Sequence, residues 1–395
     1  MIIMNIKELD KKYYMNTFGE RTDVCFDRGE GIYLYDETGN KYTDLLGGIA
    51  VNALGHCHPL YKEALHNQVD KLIHTSSLYY VKNQALLAKK LCEISCADKV
   101  FFANSGAEAN EGAIKLARIN SYKKGFTNKI EIVTLKNSFH GRTLATVAAT
   151  GQEKYQKPYK PMLEKFVHVT PNDLSELESA VGENTCAVML ELIQGESGVH
   201  PLTKEYVELA RKLCDEHGIA LIFDEVQTGI GRTGKMFAYE NYDVTPDIFT
   251  LAKALGGGVP IGAVCAKDKF CAFAPGDHGS TFGGNPFCCG AALAVLNIIQ
   301  SEELDINSKM MGKYFKEKIL AMNSDKIKEV RGMGLMLGIE LNVSAKAVNK
   351  KLFENKILCG TVGDSTLRFL PPLIINKDNI NDFTDVLEKI LKELD

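Results

Sequence analysis

Ala220-Leu-Ile-Phe-Asp-Glu-Val-Gln227, followed by Asp247-Ile-Phe-Thr-Leu-Ala-Lys-Ala-Leu-Gly-Gly-Gly258, decides the fold of this chain. Each segment is a short apolar run that stops at charge. The first ends in Asp224 and Glu225, the second in Lys253. Short, uniformly apolar runs read as strands buried on both faces, and a parallel sheet presents its chemistry where such strands end. A glycine-punctuated turn, Thr228-Gly-Ile-Gly-Arg-Thr-Gly234, lies between them, and Gly256 to Gly258 follow the lysine closely.

A lysine at the end of a buried strand is costly. It loses its proton, finds an anion, or forms a covalent bond. Pyridoxal 5'-phosphate offers the third solution, because its aldehyde condenses with an amine and its ring nitrogen needs a carboxylate partner. Asp224 is the candidate carboxylate. Val226, two residues on, is expected to point the same way along the strand and pack against the ring. Gln227 is placed to bond the ring hydroxyl oxygen. Taken singly, Lys253 reads as a snorkelling surface residue and Asp224 as a helix cap. Their pairing on consecutive apolar runs, with glycines where a flat ring must approach, favours the cofactor.

The segments Leu221-Ile-Phe-Asp-Glu-Val-Gln-Thr-Gly-Ile-Gly-Arg-Thr-Gly234 and Leu251-Ala-Lys-Ala-Leu-Gly-Gly-Gly258 resemble the class III pyridoxal-phosphate aminotransferases, and the resemblance covers nearly the whole chain. It implies the fold-type I architecture: an α/β large domain with a mainly parallel sheet flanked by helices, and a small α+β domain. The expected division takes 1–55 as an N-terminal segment with a hairpin, part of the small domain. It takes 56–286 as the large cofactor-binding domain, and 287–395 as a connecting helix and the C-terminal small domain. The resemblance also implies a homodimer with a shared active site.

Ile32 to Tyr42 alternates, turns at Thr38-Gly-Asn40 and returns, the pattern of a hairpin. His56-Cys57-His58 precedes Pro59. Three consecutive residues make poor metal-ligand geometry, so a turn is expected there, with Pro59 starting a helix. Val100-Phe-Phe-Ala103 runs into Asn104-Ser-Gly106 and a helix carrying Ala107, Asn110, Ala113, Ile114 and Ala117 at helical spacing. A glycine at a helix start lets backbone N–H groups reach an anion. The resemblance assigns Gly106 and Ala107, with Ser105, to the cofactor phosphate; the bare alternative is a capped helix.

Ile130 to Leu135 reads as a strand before Asn137-Ser-Phe-His-Gly-Arg-Thr143. The resemblance stacks Phe139 on the ring opposite Val226 and gives Arg142 a substrate carboxylate, which a guanidinium grips through two parallel bonds. His140 reads as structural or ring-adjacent. Ala187 to Ile193 is another apolar strand, and the resemblance pairs Glu196, just beyond it, with a distant arginine near the substrate. Thr203 to Gly218 is an amphipathic helix with a threonine cap and a glycine stop. Strand, helix and strand from Ala187 to Val226 form a parallel unit. Pro260 to Ala266 is a further strand. In Gly279-Ser-Thr-Phe-Gly-Gly-Asn-Pro286 the resemblance implies that Ser280 contacts substrate and Thr281 reaches the phosphate of the neighbouring subunit. Arg368 matches the family arginine that binds the α-carboxylate of glutamate.

Composition agrees with an ordinary globular protein. The 395 residues are 45% hydrophobic and 24% charged, with a net charge of −4, so no bulk basicity points to nucleic acid or an anionic membrane. No apolar run approaches the roughly 20 residues that span a bilayer. Met1 to Lys12 is acidic at Glu8 and Asp10 and lacks the plan of a signal peptide. Eleven cysteines without paired Cys-x-x-Cys spacing suggest free thiols in a reducing cytoplasm, and Cys92 and Cys96 suggest helix packing. No metal site is expected.

One reading from another class competes. Gly229-Ile-Gly-Arg-Thr-Gly-Lys-Met236 nearly matches a nucleotide-binding P-loop, with Met236 where a magnesium-binding hydroxyl belongs. The acidic strand such a protein needs would have to be the strand immediately before the loop. A non-catalytic relative is the other alternative, opposed by the retained lysine, aspartate and arginines. The phrase Gly47-Gly-Ile-Ala-Val-Asn-Ala-Leu-Gly-His56 is similar to family members that move the terminal amine of N-acetylornithine to 2-oxoglutarate. Members acting on ornithine, succinylornithine, succinyldiaminopimelate or 4-aminobutyrate share the same ring-binding set.

Overall fold

Seven strands form the central sheet of the computed structural model, which describes residues 5–394. In chain order they are β1 (Lys99–Ala103), β2 (Glu131–Leu135), β3 (Phe166–Val169), β4 (Thr185–Leu190), β5 (Ala220–Asp224), β6 (Ile248–Leu251) and β7 (Gly262–Ala266). Their order across the sheet is β1-β7-β6-β5-β4-β2-β3. All run parallel except β7, which is antiparallel to β6 on one side and β1 on the other. The mainly parallel sheet expected from the apolar runs is present; the reversal of β7 is new.

β4 and β5 are buried along their whole length. Successive side chains of β5 enter different cores. Leu221 and Phe223 pack with Tyr206, Val207 and Ala210 of the helix Lys204–His217, whereas Ile222 packs with Ala109, Ala113 and Leu116 of the helix Gly106–Lys123. Helices on both faces explain why this strand is apolar throughout rather than alternating. Thr203 Oγ1 caps the first helix by accepting from Tyr206 N–H, and Gly218 ends it at φ 64°. The chain then re-enters β5, whose last residue, Asp224, pairs in register with Thr250 of β6. Lys253 follows two residues after β6 ends, so both charges lie on one edge of the sheet.

A second sheet orders Ile327–Met333, Met336–Leu341, Thr366–Phe369 and Gly360–Val362. The N-terminal hairpin, Tyr33–Asp36 with Lys41–Asp44, is extended by Phe26–Glu30 on one side. On the other it pairs in parallel with Ile357–Leu358. Two helices, Pro286–Ser301 and Leu304–Ala321, connect the large sheet to this part. No single helix among the described residues is long and apolar enough to cross a membrane.

Met1 to Met4 lie outside the described residues, but Ile6–Tyr13 is a helix capped reciprocally by Asn5 and Glu8. None of its residues is buried: Ile6, Leu9 and Tyr13 share one face at helical spacing, and that face is exposed. His56 and His58 diverge: His56 Nε2 lies 2.9 Å from Asp44 Oδ2 and His58 Nε2 3.2 Å from Glu302 Oε1. Pro59 opens the helix Pro59–Val69. Cys92 is on the helix Lys82–Ile94, but Cys96 lies past its end.

The P-loop reading fails on packing. Arg232 is fully buried, its Nη1 donating to the carbonyls of Leu335 (3.1 Å) and Pro371. A Cβ on Gly229 would stand 2.9 Å from Glu225 O, and one on Gly234 2.9 Å from Lys309 Cβ. These glycines make room for protein, not phosphate. Glu225, the residue just after β5, does not border the cavity described below and accepts from Ala238 N–H (2.7 Å) and Tyr239 N–H (2.9 Å).

Candidate active site

A cavity of about 430 Å³ opens at the edge where β5 and β6 end, bordered by Asp224 and Lys253. Asp224 is buried and held on several sides. Its Oδ2 receives Asn110 Nδ2 at 2.7 Å and lies 2.8 Å from His140 Nδ1; its Oδ1 receives Val226 N–H at 3.0 Å. Asn110 is oriented in turn, donating to His140 O and accepting from Thr250 Oγ1, both at 2.7 Å. The carboxylate is locked before any ligand arrives.

Lys253 has a left-handed backbone, φ 42°, in the turn after β6. A non-glycine residue there is strained, and such strain concentrates at functional positions. Burial lowers the affinity of its amine for a proton, and Arg368 adds to this, against the pull of Glu196 and Asp224. The result is a lysine readier to act as a free amine than one in water.

Phe139 and Val226 both border the cavity. Val226 lies beyond the end of β5, in a turn, so strand alternation does not place it. Gly106 does: a Cβ there would stand 2.7 Å from Val226 Cγ1. Of the three glycines after Lys253, only Gly258 faces the cavity. Gly256 and Gly257 instead admit Ile261 Cγ2 and Val295 Cγ2, which would lie 2.9 Å from an added Cβ. The expectation that all three receive a flat ring is corrected accordingly. Gln227 is buried beside the cavity, and Gly195 is the reason it fits, since a Cβ on Gly195 would collide with Gln227 Oε1.

At the opposite wall the helix Gly106–Lys123 begins. Ser105 Oγ caps Glu108 N–H (3.2 Å), and the first intrahelical bond is from Ala109 N–H to Ser105 O. The N–H groups of Gly106 and Ala107 therefore precede the helical ladder and border the cavity.

Glu196 and Arg368 form an ion pair at the cavity, 2.7 Å between Oε1 and Nη1. Burial works to raise the Glu196 carboxyl, but the charge and hydrogen bond of Arg368 outweigh it and hold the carboxyl below its ordinary range. Arg142 is exposed at the rim, its guanidinium 4.0 Å from the Tyr155 ring centroid. Ser280 does not border the cavity but accepts from Asn104 Nδ2 (3.1 Å), which does. Thr281 is exposed and outside the cavity of its own chain.

Three polar residues of the site were not singled out from sequence. Asn110 looked like one apolar-face position of a helix, and Thr250 like a residue of a buried strand. Glu191 borders the cavity, fully enclosed, and accepts from Phe139 N–H at 2.8 Å. Burial, then the nearby Asp224 charge, push its carboxyl well above the ordinary range. Its only sequence signal is a charge inside an apolar run, Val188 to Ile193.

Pyridoxal 5'-phosphate fits this set of residues. Gln227 Oε1 is buried without a donor, as a ring hydroxyl would supply, and the free N–H groups of Gly106 and Ala107 suit a phosphate. A family model described as aminotransferase class-III matches residues 14–391. This chain is a class-III aminotransferase. The aminotransferase is 49% identical to the acetylornithine aminotransferase of Caldanaerobacter subterraneus subsp. tengcongensis, over 98% of each chain. It resembles the crystal structure of acetylornithine aminotransferase from Elizabethkingia anophelis, with a TM-score of 0.88, 34% identity and 98% coverage of both chains. It also resembles the ornithine aminotransferase from Toxoplasma gondii, whose structure with oxidized glutathione has partial occupancy of pyridoxal phosphate at the active site. That TM-score is 0.93 at 31% identity, covering 99% of the aminotransferase and 95% of the other chain.

Proposed function

We propose that the chain moves the terminal amine of N-acetylornithine to 2-oxoglutarate, giving N-acetylglutamate 5-semialdehyde and glutamate, a step of arginine biosynthesis, with pyridoxal 5'-phosphate as cofactor. The observation that carries this reading is Lys253 and Asp224 bordering one cavity that Glu196 also lines, with Arg368 paired to Glu196 at 2.7 Å behind it. Identity of 49% with an acetylornithine aminotransferase, over 98% of each chain, supports the donor.

When bound, the cofactor supplies an aldehyde carbon that takes up the amine and a ring that drains the electrons released as a C–H bond breaks. Asp224 holds the proton on the ring nitrogen. Phe139 and Val226 pack the ring faces, Gln227 meets the ring hydroxyl oxygen, and Ser105, Gly106 and Ala107 hold the phosphate. Lys253 Nζ takes the proton from the amine-bearing carbon of the donor, a task that suits an amine whose basicity burial has lowered. Arg142 receives the distal carboxylate of either substrate, with Ser280 nearby. Arg368 receives the α-carboxylate of glutamate, and Glu196 neutralises Arg368 while the acetylornithine chain lies alongside it.

The same reading takes the protein as a cytoplasmic homodimer, with residues 1–55 and 287–395 forming the small domain and 56–286 the large. Leu78, Tyr79 and Phe282 are 86%, 69% and 60% exposed, and Phe282 adjoins Thr281. Large exposed apolar side chains in one region suit a partner subunit, across which Thr281 would reach the neighbouring phosphate. A narrower alternative, ornithine as donor, is favoured by the likeness to the Toxoplasma gondii enzyme.

The test is a comparison of rates with 2-oxoglutarate for N-acetylornithine, ornithine, succinylornithine, succinyldiaminopimelate and 4-aminobutyrate. N-acetylornithine should have the highest kcat/KM. Faster transfer from another donor overturns the substrate but not the chemistry. Borohydride reduction of the cofactor-loaded protein should label Lys253 in a peptide map; a label elsewhere overturns the chemistry.

A further inference from the structure

The segment that carries Glu196 is the tip of a small hairpin. Ile193–Gln194 pairs with His200–Pro201, and Val199 N–H closes the tip on Gln194 O at 3.0 Å. The tip lies against the second sheet. There, Gly338 is the register partner of Arg331 on one side and of Arg368 on the other. Cross-strand partners share a face, so the two arginines stand on one row of one face, separated by a residue without a side chain. A Cβ on Gly338 would stand 3.0 Å from Gly198 O and 3.1 Å from Val199 Cβ. The hairpin tip occupies that gap.

Each arginine grips one end of the tip. Arg368 Nη1 donates to Gly195 O (3.1 Å) and Glu196 Oε1 (2.7 Å). Arg331 Nε donates to Gly198 O at 2.8 Å. Arg331 is itself 7% exposed and fixed by Glu329 Oε2 (2.8 Å), Glu340 Oε2 and Thr366 Oγ1 (3.2 Å). Gly198 has φ 126° and Val199 φ 61°, so the end held by Arg331 is in a backbone conformation that needs external support.

We propose that Arg331 is a positioning residue for the Glu196–Arg368 pair. This rests on the reading in which a substrate α-carboxylate displaces Glu196 from Arg368. When that happens, the Arg368 end of the tip loses its charged tie and keeps at most the bond to Gly195 O. The Arg331 end stays attached, because its partners are protein groups that no substrate replaces. Glu196 is thereby held within reach, and the pair re-forms for the next donor. The two arginines divide the work: one exchanges partners every turnover, the other never does.

The experiment uses cofactor-loaded enzyme and single-turnover absorbance for each half-reaction separately, in Arg331→Gln, Glu196→Ala and the double variant. A lost charge-assisted hydrogen bond predicts that Arg331→Gln slows the acetylornithine half-reaction about tenfold or more. Affinity for 2-oxoglutarate should hold or tighten, because Glu196 competes less well for Arg368. Adding Arg331→Gln to Glu196→Ala should change the half-reactions no further. Gly338→Ala, which presses on the tip from beneath without touching either arginine's charge, should show the same split and guards against a misfolded Arg331 variant. Lys in place of Arg331 keeps the charge but not the Nε–H donor, and should rescue poorly.

Equal loss in both half-reactions, or additive effects in the double variant, overturns the inference and makes Arg331 a structural residue. If Glu196→Ala itself leaves the two half-reactions in their native ratio, the exchange reading fails and the role of Arg331 falls with it. If Glu196→Ala shifts that ratio and neither Arg331→Gln nor Gly338→Ala follows, only the present inference fails.

Discussion

Asn110 Nδ2 donates to Asp224 Oδ2 at 2.7 Å, joining residues 114 positions apart. The same amide nitrogen donates to His140 O, and its oxygen accepts from Thr250. One side chain thus ties a helix, a loop and a neighbouring strand to the carboxylate that borders the cavity. Asn110→Ala should leave Asp224 free to turn and two buried groups unpaired. A stability loss of about 1–3 kcal/mol is expected from the unsatisfied partners. Cofactor affinity should fall as well, measured by titrating the apo-protein with pyridoxal phosphate. Unchanged affinity would mean that His140 and Val226 N–H suffice to aim the carboxylate.

Lys253 gives a pH signature in the cofactor-free protein. Unfolded, it keeps its proton up to a pH near the ordinary lysine value of 10.5; folded, it releases the proton at lower pH because it is buried. Between those two points the unfolded state binds more protons, so stability rises with pH there. Lys253→Met removes that slope. The variant should be the more stable of the two at neutral pH, with the margin closing toward pH 10.5. Denaturation curves of both apo-proteins across that range decide it, and a constant margin contradicts the lowered basicity.

If Arg368 receives the α-carboxylate of glutamate as proposed, Arg368→Ala should impair the glutamate half-reaction far more than the acetylornithine half-reaction. Arg142→Ala should impair both. Single-turnover absorbance with each substrate alone separates the effects. Equal slowing of both halves by Arg368→Ala would give that arginine a general role.

Gly106→Ala tests the fit of the ring slot. The added Cβ would stand 2.7 Å from Val226 Cγ1, so Val226 must shift into the slot or the helix start must retreat. Cofactor affinity should drop by about tenfold, the scale of 1–3 kcal/mol that overpacking costs. Gly106→Ala combined with Val226→Ala should recover part of it.

Thr281 is tested by hybrid dimers of Lys253→Ala and Thr281→Ala subunits. If Thr281 acts across the interface, one site of the hybrid carries both lesions and the other is intact, so about half the native activity per dimer is retained. A hybrid with one lesion in each site would place Thr281 in its own subunit's site.

Much of this architecture is legible in the chain. β5 and β6 announce themselves because strands covered on both faces carry no charged residue until they end, so Asp224 and Lys253 stand out. The helix from Lys204 is legible from its cap and its glycine stop. The direction of β7 is not, since an apolar run has the same composition read either way. Asn110 and Thr250 are hidden for a related reason: a polar residue satisfied by a neighbouring element looks, in sequence, like one on an ordinary helix face or strand. Gly256 and Gly257 show the limit of reading glycine as ligand space, because close approach by Ile261 and Val295 demands it equally.

The reversed strand β7 has a consequence for assembly of the protein. Only the ten residues 252–261 separate β6 from β7, so the wall bearing Lys253 is built from neighbours in the chain. The wall bearing Asp224 needs Asn110 and His140, brought from far upstream. Closing the longer loop costs more entropy and comes later in folding. A chain caught part-way through refolding would carry the lysine in a formed turn and Asp224 not yet held by Asn110 and His140. Cofactor retention in a refolding experiment would then report when these distant segments have met.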